Sequence, residues 1–266
     1  MDILAPVATV AALGLLFGVL LGYASKKFAV EKDETEIKIR ELLPGANCGG
    51  CGFPSCDALA EAVAKGKVPP RTCVVSSDEN VAKMAAILGV EAGSSEKMVA
   101  VMHCQGDRSQ CPPRAEYTGL QTCKAASSLS SGPKGCRFGC LGFGDCVAEC
   151  KFGALSINEF GLSQVDPNKC IGCGACTKAC PRNLLALQPV SQHSVAVTLC
   201  RNLEKGKAVR DVCMKGCLSC RLCEKVCPEK AIDCSSGVAI INSLLCKGCG
   251  ACKEKCPAKA IVMMEK

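Results

Sequence analysis

Cys170, Cys173, Cys176 and Cys180 stand at C-x2-C-x2-C-x3-C spacing, with Pro181 next. Thiolates so spaced bind the irons of a [4Fe–4S] cubane. The first three sit on one tight loop and can cap three irons of one cube. Gly172 and Gly174 let the backbone wrap close and turn its N–H groups to the sulfurs. The fourth cysteine leaves the loop and can reach a neighbouring cube. A single zinc ion needs one tetrahedral set, usually two C-x2-C pairs, and has no use for a triplet. The chemistry to expect is one-electron transfer.

The array is part of an internal repeat. Cys217, Cys220, Cys223 and Cys227 recur at Cys246, Cys249, Cys252 and Cys256, a constant shift of 29. Cys140, Cys146 and Cys150 recur at Cys170, Cys176 and Cys180, a shift of 30. Larger units repeat as well. The apolar run 99–104 is echoed by 195–200, and Cys136-Arg137-Phe138-Gly139-Cys140-Leu141 by Cys213-Met214-Lys215-Gly216-Cys217-Leu218. This is the two-fold plan of a dicluster ferredoxin, used twice. In that plan three cysteines of one half join the last cysteine of the other. The expected sets are Cys136/Cys140/Cys146/Cys180, Cys150/Cys170/Cys173/Cys176, Cys217/Cys220/Cys223/Cys256 and Cys227/Cys246/Cys249/Cys252. One half is irregular: Phe143 replaces its middle cysteine, Cys136 must then supply the third ligand, and Lys151 stands where proline follows the other fourth cysteines.

A fifth set precedes the repeat. Cys48, Cys51, Cys56 and Cys73 form C-x2-C-x4-C-x16-C, which suggests a separate [4Fe–4S] site, with zinc as the rival because the spacing is not a triplet. Cys104, Cys111, Cys123, Cys200, Cys213 and Cys234 are left over. They read as buried thiols, with a sixth site built from some of them left open. His103 and His193 are isolated and read as structural.

Several elements must position these loops. Residues 33–43 read as a short amphipathic helix stopped by Pro44-Gly45, and 55–65 as a helix ended by Gly66. Ser76 and Glu79 form a capping-box pattern ahead of a third helix that runs to Leu88 and stops at Gly89. Residues 91–96 read as a linker. Short β-prone runs at 99–104, 154–157 before a Gly161 turn, 184–187 and 195–200 lie between half-motifs. The fold class is α+β. The expected division is 1–25 as a transmembrane anchor, 31–90 as a small helical [4Fe–4S] domain, and 98–190 and 194–266 as two strand-plus-dicluster modules.

Composition agrees. The 266 residues include twenty-six cysteines, two Tyr and no Trp, so no ordinary aromatic core is available. The cysteines fall in metal-ligand spacings rather than a disulfide framework, and thiolates kept for clusters point to the reducing cytoplasm. The formal charge of +7 counts thiols as neutral. Each four-thiolate cube contributes roughly −2, so five leave the holo-protein mildly acidic and the basic count is no argument for nucleic acid. Residues 3–23 are almost wholly apolar, with Asp2 before them and Lys26-Lys27 after. That length spans a bilayer, and the trailing lysines place the remainder in the cytoplasm. Gly14, Gly18 and Gly22 lie four apart, a smooth face of the kind packed membrane helices use. No nucleophile–base pair, phosphate loop or dinucleotide fingerprint appears, so no substrate chemistry is visible in the chain itself.

An N-terminal anchor, the C-x2-C-x4-C-x16-C unit, the signature Gly135-Cys136-Arg137-Phe138-Gly139-Cys140-Leu141-Gly142-Phe143-Gly144-Asp145-Cys146 and paired ferredoxin motifs together resemble the B component (RnfB) of the Rnf electron-transport complex. The resemblance covers essentially the whole chain. It implies a subunit of an ion-translocating ferredoxin:NAD⁺ oxidoreductase in the cell (inner) membrane, single-pass, with its iron–sulfur domains on the cytoplasmic side. Electrons would arrive from reduced ferredoxin and leave to membrane and flavin subunits, coupled to Na⁺ or H⁺ movement. The second dicluster module exceeds that of shorter relatives and suggests a longer antenna toward soluble ferredoxin. The rival readings are the relay subunit of a hydrogenase- or formate-type membrane complex, and a system that re-reduces a redox-sensing transcription factor.

Overall fold

The computed structural model describes residues 4–27, 33–93, 97–129, 131–190 and 194–264. His193 and part of the 91–96 linker lie outside them. Helix α1 (Leu4–Lys27) ends on Lys26 and Lys27. Its described large apolar side chains, Leu15 and Val19 among them, are exposed, and a methyl group placed on Gly14, Gly18 or Gly22 would meet nothing. Among the described residues no helix is long and apolar enough to cross a membrane.

The N-terminal unit follows its capping signals. α2 (Glu34–Leu42) starts at Asp33, whose carboxylate accepts the Thr35 N–H. α3 (Cys56–Ala64) starts at Ser55, whose hydroxyl accepts the Ala58 N–H, and ends before Gly66. The next cap falls one residue later than the capping-box pattern predicts. Ser77 accepts the Asn80 N–H and opens α4 (Asp78–Leu88), while Glu79 pairs with Lys83. Ser76 is left with a buried hydroxyl that has no partner. The amphipathic faces of these helices close over Ile39, Leu59, Val63, Val81 and Met84, all essentially fully buried, with Cys56 and Cys73 in the same cluster. Apolar burial at about 25 cal/mol per Å² therefore holds this small unit together around its own thiols.

The repeat folds as two like modules, each closed by a strand that precedes its cysteine array. In the first, β1 (Met98–Met102) pairs antiparallel with the module's last strand, β4 (Leu185–Pro189), running from Met98↔Pro189 to Met102↔Leu185. Between them lie α5 (Cys123–Ser128), α6 (Asp145–Ala148), the hairpin of β2 (Leu155–Ile157) and β3 (Ser163–Val165), and α7 (Ala175–Ala179). In the second, β5 (Val195–Thr198) pairs antiparallel with β8 (Ile261–Met264), enclosing α8 (Lys207–Val212), α9 (Leu222–Val226), the β6 (Ile232–Asp233) and β7 (Ile240–Ile241) pair, and α10 (Ala251–Lys255). The mixed α/β fold class agrees with the sequence. Each module's core consists of its own cysteines together with aliphatic residues, Val, Leu, Ala and Met in the first and Ala, Ile and Val in the second.

The modules are joined rather than strung on a linker. His103 Nδ1 donates to the Thr198 carbonyl at 2.8 Å, and Gln105 Nε2 donates to the Lys259 carbonyl at 2.7 Å. The Met214 N–H donates to Gln110 O at 2.9 Å, and Met264 packs against the first core. Truncating after Gln188 would therefore cut β4 and open this seam as well as remove the second module.

Candidate iron–sulfur sites

Two local conformations recur at all four half-motifs. After each first ligand the backbone enters the left-handed region at the second and fourth positions. These are Gly142 and Gly144, Gly172 and Gly174, Ser219 and Arg221, and Gly248 and Gly250, with φ between +58° and +86°. Alternating left-handed residues turn successive N–H groups into one concavity, a nest for an anionic group. The loop with Phe143 in place of cysteine keeps this backbone, so its irregularity lies in the ligand and not in the fold.

The fourth cysteines share a second turn. The residue three on is left-handed: Gly153, Asn183, Lys230 and Lys259, with φ between +50° and +61°. The next N–H donates to the cysteine sulfur: Ala154 to Cys150 at 3.3 Å, Leu184 to Cys180 at 3.4 Å, Ala231 to Cys227 at 3.4 Å and Ala260 to Cys256 at 3.3 Å. Lys151 in place of proline leaves the turn intact. An N–H···S bond favours a thiolate over a thiol, which suits a metal ligand.

All twenty-six cysteines are free thiols. Cys217, Cys220, Cys223 and Cys256 line one cavity, which brings the three-plus-one set of the sequence together, and Cys234 lines it too. Cys223 is pushed up to about 12 by burial and by Cys234 and Cys217 beside it. Around Cys176, burial first, then Cys170, Cys173, Cys146 and Cys150, raise its thiol to about 12, which places it among its expected partners. Burial raises Cys252 to about 11, with Cys246, Cys223 and Cys249 as neighbours. Cys227, Cys246, Cys252 and Cys256 belong to one packed cluster. In the N-terminal unit Cys51 packs against the core cluster that contains Cys56 and Cys73.

The remaining set forms differently. The cavity that holds Cys140, Cys146 and Cys180 is lined by Cys123 and not by Cys136. Asp145 brings Cys123 there, its carboxylate accepting the N–H groups of Cys123 at 2.8 Å and Lys124 at 3.0 Å at the start of α5. Arg182 holds the other side through the carbonyls of Cys136, Gly139 and Ser131. Cys136 lines a second cavity, together with Cys104, Cys111, Cys200 and Cys213. No spacing rule in the sequence signals Cys123.

Among the described residues no three His, Cys, Asp or Glu side chains come within reach of a single metal ion. Zn–S bonds of about 2.3 Å would demand sulfurs about 4 Å apart, whereas a cube gives each thiolate its own iron. Four-cysteine sets ringed by backbone N–H donors fit the cube.

The fold and these sets define an iron–sulfur protein of the ferredoxin-like dicluster class. Residues 138–185 and 169–231 match the 4Fe-4S dicluster domain, 239–262 the 4Fe-4S binding domain, and 43–75 an Fe-S cluster domain. The chain is 42% identical over 241 residues to the B component of the ion-translocating oxidoreductase complex of Methanosarcina acetivorans, covering 90% of each chain. It is 39% identical over 235 residues to the B component of the proton-translocating ferredoxin:NAD(+) oxidoreductase complex of Clostridium ljungdahlii, covering 88% of this chain and 82% of that one. With the B component of the Na(+)-translocating ferredoxin:NAD(+) oxidoreductase complex of Acetobacterium woodii it shares 46% identity over 215 residues, 81% of this chain and 64% of the relative. The chain belongs to the RnfB family, the B components of ion-translocating oxidoreductase (Rnf) complexes.

Proposed function

We propose that the chain is the iron–sulfur relay subunit of a membrane-bound, ion-translocating ferredoxin:NAD⁺ oxidoreductase, taking electrons from reduced ferredoxin and passing them to membrane and flavin subunits. The observation that carries this reading is the fourfold recurrence of the nest and the N–H···S turn, in a chain of the RnfB family. The proposed ligand sets are Cys48/Cys51/Cys56/Cys73, Cys150/Cys170/Cys173/Cys176, Cys217/Cys220/Cys223/Cys256 and Cys227/Cys246/Cys249/Cys252, and Cys140, Cys146 and Cys180 with a fourth thiolate. When bound, [4Fe–4S] clusters supply one-electron redox chemistry. The chain's own residues hold four thiolates per set, aim N–H dipoles at the sulfurs to stabilise added negative charge, and bury part of each set in the surrounding aliphatic core while Cys220 and Cys249 stay exposed.

The proposed domains are 1–25, 31–90, 98–190 and 194–266. Their contacts suit a relay. Gly50, beside Cys51, lies so close to Cys173 that a Cβ there would sit 2.9 Å from the Cys173 Cβ, and Lys151 Nζ donates to Asn47 O at 3.2 Å. The N-terminal unit thus meets the first module at their two ligand loops. We place α1 as a single-pass anchor in the cell membrane, with the cysteine domains on the cytoplasmic side. The support is the apolar run 3–23 of the sequence and the lysines that follow it.

The test is anaerobic purification of the full chain with its complex. At least about twenty irons and as many sulfides per chain, flavin-bearing membrane subunits in the same complex, and reduction by reduced ferredoxin are expected. About four irons, or zinc in their place, refutes the relay. Removing residues 1–27 should release the chain from membranes.

A further inference from the structure

The cavity at the seam collects four of the six cysteines that the ferredoxin pattern leaves over, and Cys136 with them. Cys111, Cys136 and Cys213 are buried in one cluster with Phe138 and Val212, though 25 and 77 residues separate Cys136 from its two companions in sequence. Cys111 and Cys213 pack together in that cluster, and the Cys111 sulfur accepts the Cys136 N–H at 3.3 Å. The Asn202 side-chain amide, almost wholly buried, donates to Cys136 Sγ at 3.5 Å. Cys104 is an electrostatic neighbour of Cys136 and accepts the Cys140 N–H at 3.4 Å. The backbone approaches closely to allow this: a Cβ on Gly106 would stand 2.9 Å from Cys213 Sγ and 3.3 Å from Cys111 Cβ.

Two groups on the cavity wall are buried without a hydrogen-bond partner, and a third carries a buried charge. His103 Nε2 and Arg201 Nε are buried with no hydrogen-bond partner. Lys134 is 7% exposed, and its ammonium donates to Cys140 O at 2.7 Å. A buried ammonium in a wall of neutral thiols is costly, and an anionic group of charge about −2 offsets it.

We infer that Cys104, Cys111, Cys136 and Cys213 bind a sixth [4Fe–4S] cluster in the seam between the modules, and that Cys123 replaces Cys136 as the partner of Cys140, Cys146 and Cys180. Transfer of a [4Fe–4S]²⁺ core from four thiolates of a donor scaffold breaks four Fe–S bonds to the donor and four S–H bonds here, forms four Fe–S bonds here, and hands the four protons to the departing donor thiolates. No electron moves in that step. Cys200 is left outside the set because Cys104 and Cys213, and not Cys200, are the thiols whose charge acts on Cys136. A zinc ion is disfavoured because no three of these thiols stand within single-ion reach. A Cys111–Cys213 disulfide would use two cysteines and leave Lys134 without its counter-charge.

The position gives the cluster its purpose, and this part rests on the relay reading. Cys104 bonds the N–H of Cys140, a ligand in the first module, and Cys200 beside it bonds the N–H of Cys217, a ligand in the second. The seam cluster would connect the two pairs of cubes, so that the second module feeds the first.

Iron and acid-labile sulfide, counted on the anaerobically purified full-length chain, test this. Wild type should carry about 24 of each, and Cys111→Ser and Cys123→Ser about 20 each. Cys111→Ser/Cys136→Ser should lose no more than Cys111→Ser alone, whereas Cys123→Ser/Cys136→Ser should fall to about 16. Cys104→Ser is measured beside Cys111→Ser, so that misfolding of one variant leaves the other. Wild type at about 20, with Cys111→Ser and Cys104→Ser unchanged, overturns the sixth cluster and leaves the relay standing. If Cys123→Ser/Cys136→Ser loses only one cluster while Cys111→Ser loses none, Cys136 returns to the first module. If Cys200→Ser loses four irons and Cys104→Ser none, the ligand set is overturned.

Discussion

Gly172 and Gly174 offer a matched pair in which only one contact differs. Both lie in the loop between Cys170 and Cys176, with φ of +71° and +74°. An alanine at either incurs the left-handed penalty of about 1–2 kcal/mol. At Gly174 the new methyl group meets Leu187 Cδ1 at 3.6 Å and Thr177 Oγ1 at 3.8 Å, ordinary contacts. At Gly172 it meets Met98 O at 2.5 Å and Met98 Cβ at 2.9 Å. Met98 cannot yield by rotating a side chain, because its backbone is tied to Pro189 at the edge of the β1–β4 ladder. The strand must move by about 1 Å, which adds about 1–3 kcal/mol on the scale of overpacked cores. The move also stretches the Ala100 N–H bond to Cys170 Sγ, now 3.3 Å. Gly172→Ala should therefore cost roughly 2–5 kcal/mol and Gly174→Ala about 1–2. For a module of this size each kcal/mol lowers Tm by about 4–8 °C. The assay is anaerobic thermal bleaching of cluster absorbance, at one scan rate for wild type and both variants. Gly172→Ala should bleach at least about 5 °C below Gly174→Ala. Coincident midpoints would refute the claim that β1 braces this ligand loop.

Other substitutions probe other layers. Cys180→Ala should remove about four irons from the Cys140/Cys146 cube while the Cys170/Cys173/Cys176 cube keeps its electron paramagnetic resonance signal; loss of the latter first would reverse the crossed assignment. Met84→Ala, at a fully buried site in the N-terminal unit, should destabilise that unit by about 2–5 kcal/mol in a denaturant titration, and a change below about 1 kcal/mol would mean its core is not packed as described. Ser219→Gly relieves a left-handed residue at φ +58°. After the loss from a more flexible unfolded chain it should stabilise the second module by about 0.5–1 kcal/mol, measured as a raised bleaching temperature.

Local order was legible because its causes are local. The helices of the N-terminal unit begin and end where Asp33, Ser55, Gly66 and Gly89 place them, within a turn of the apolar faces they serve. The one shifted cap shows the limit, since Ser76 and Ser77 are both able to cap and packing chose the second. The N-terminal helix forms from its apolar run alone, and what surrounds that helix is not written in the run.

The sequence by itself determined the triplet loops and the fourth-cysteine turns, because a ligand loop closes within a dozen residues and its spacing leaves one way to wrap a cube. Only the tertiary structure decided which thiols meet across long separations. Cys123 lines the cavity of Cys140, Cys146 and Cys180 because the Asp145 carboxylate holds the N–H groups of Cys123 and Lys124 at the start of α5. Cys136 turns instead to Cys111 and Cys213 because the second module packs against the first and carries Cys213 into the seam. Such contacts depend on how two folded modules dock, and no spacing along the chain encodes a docking.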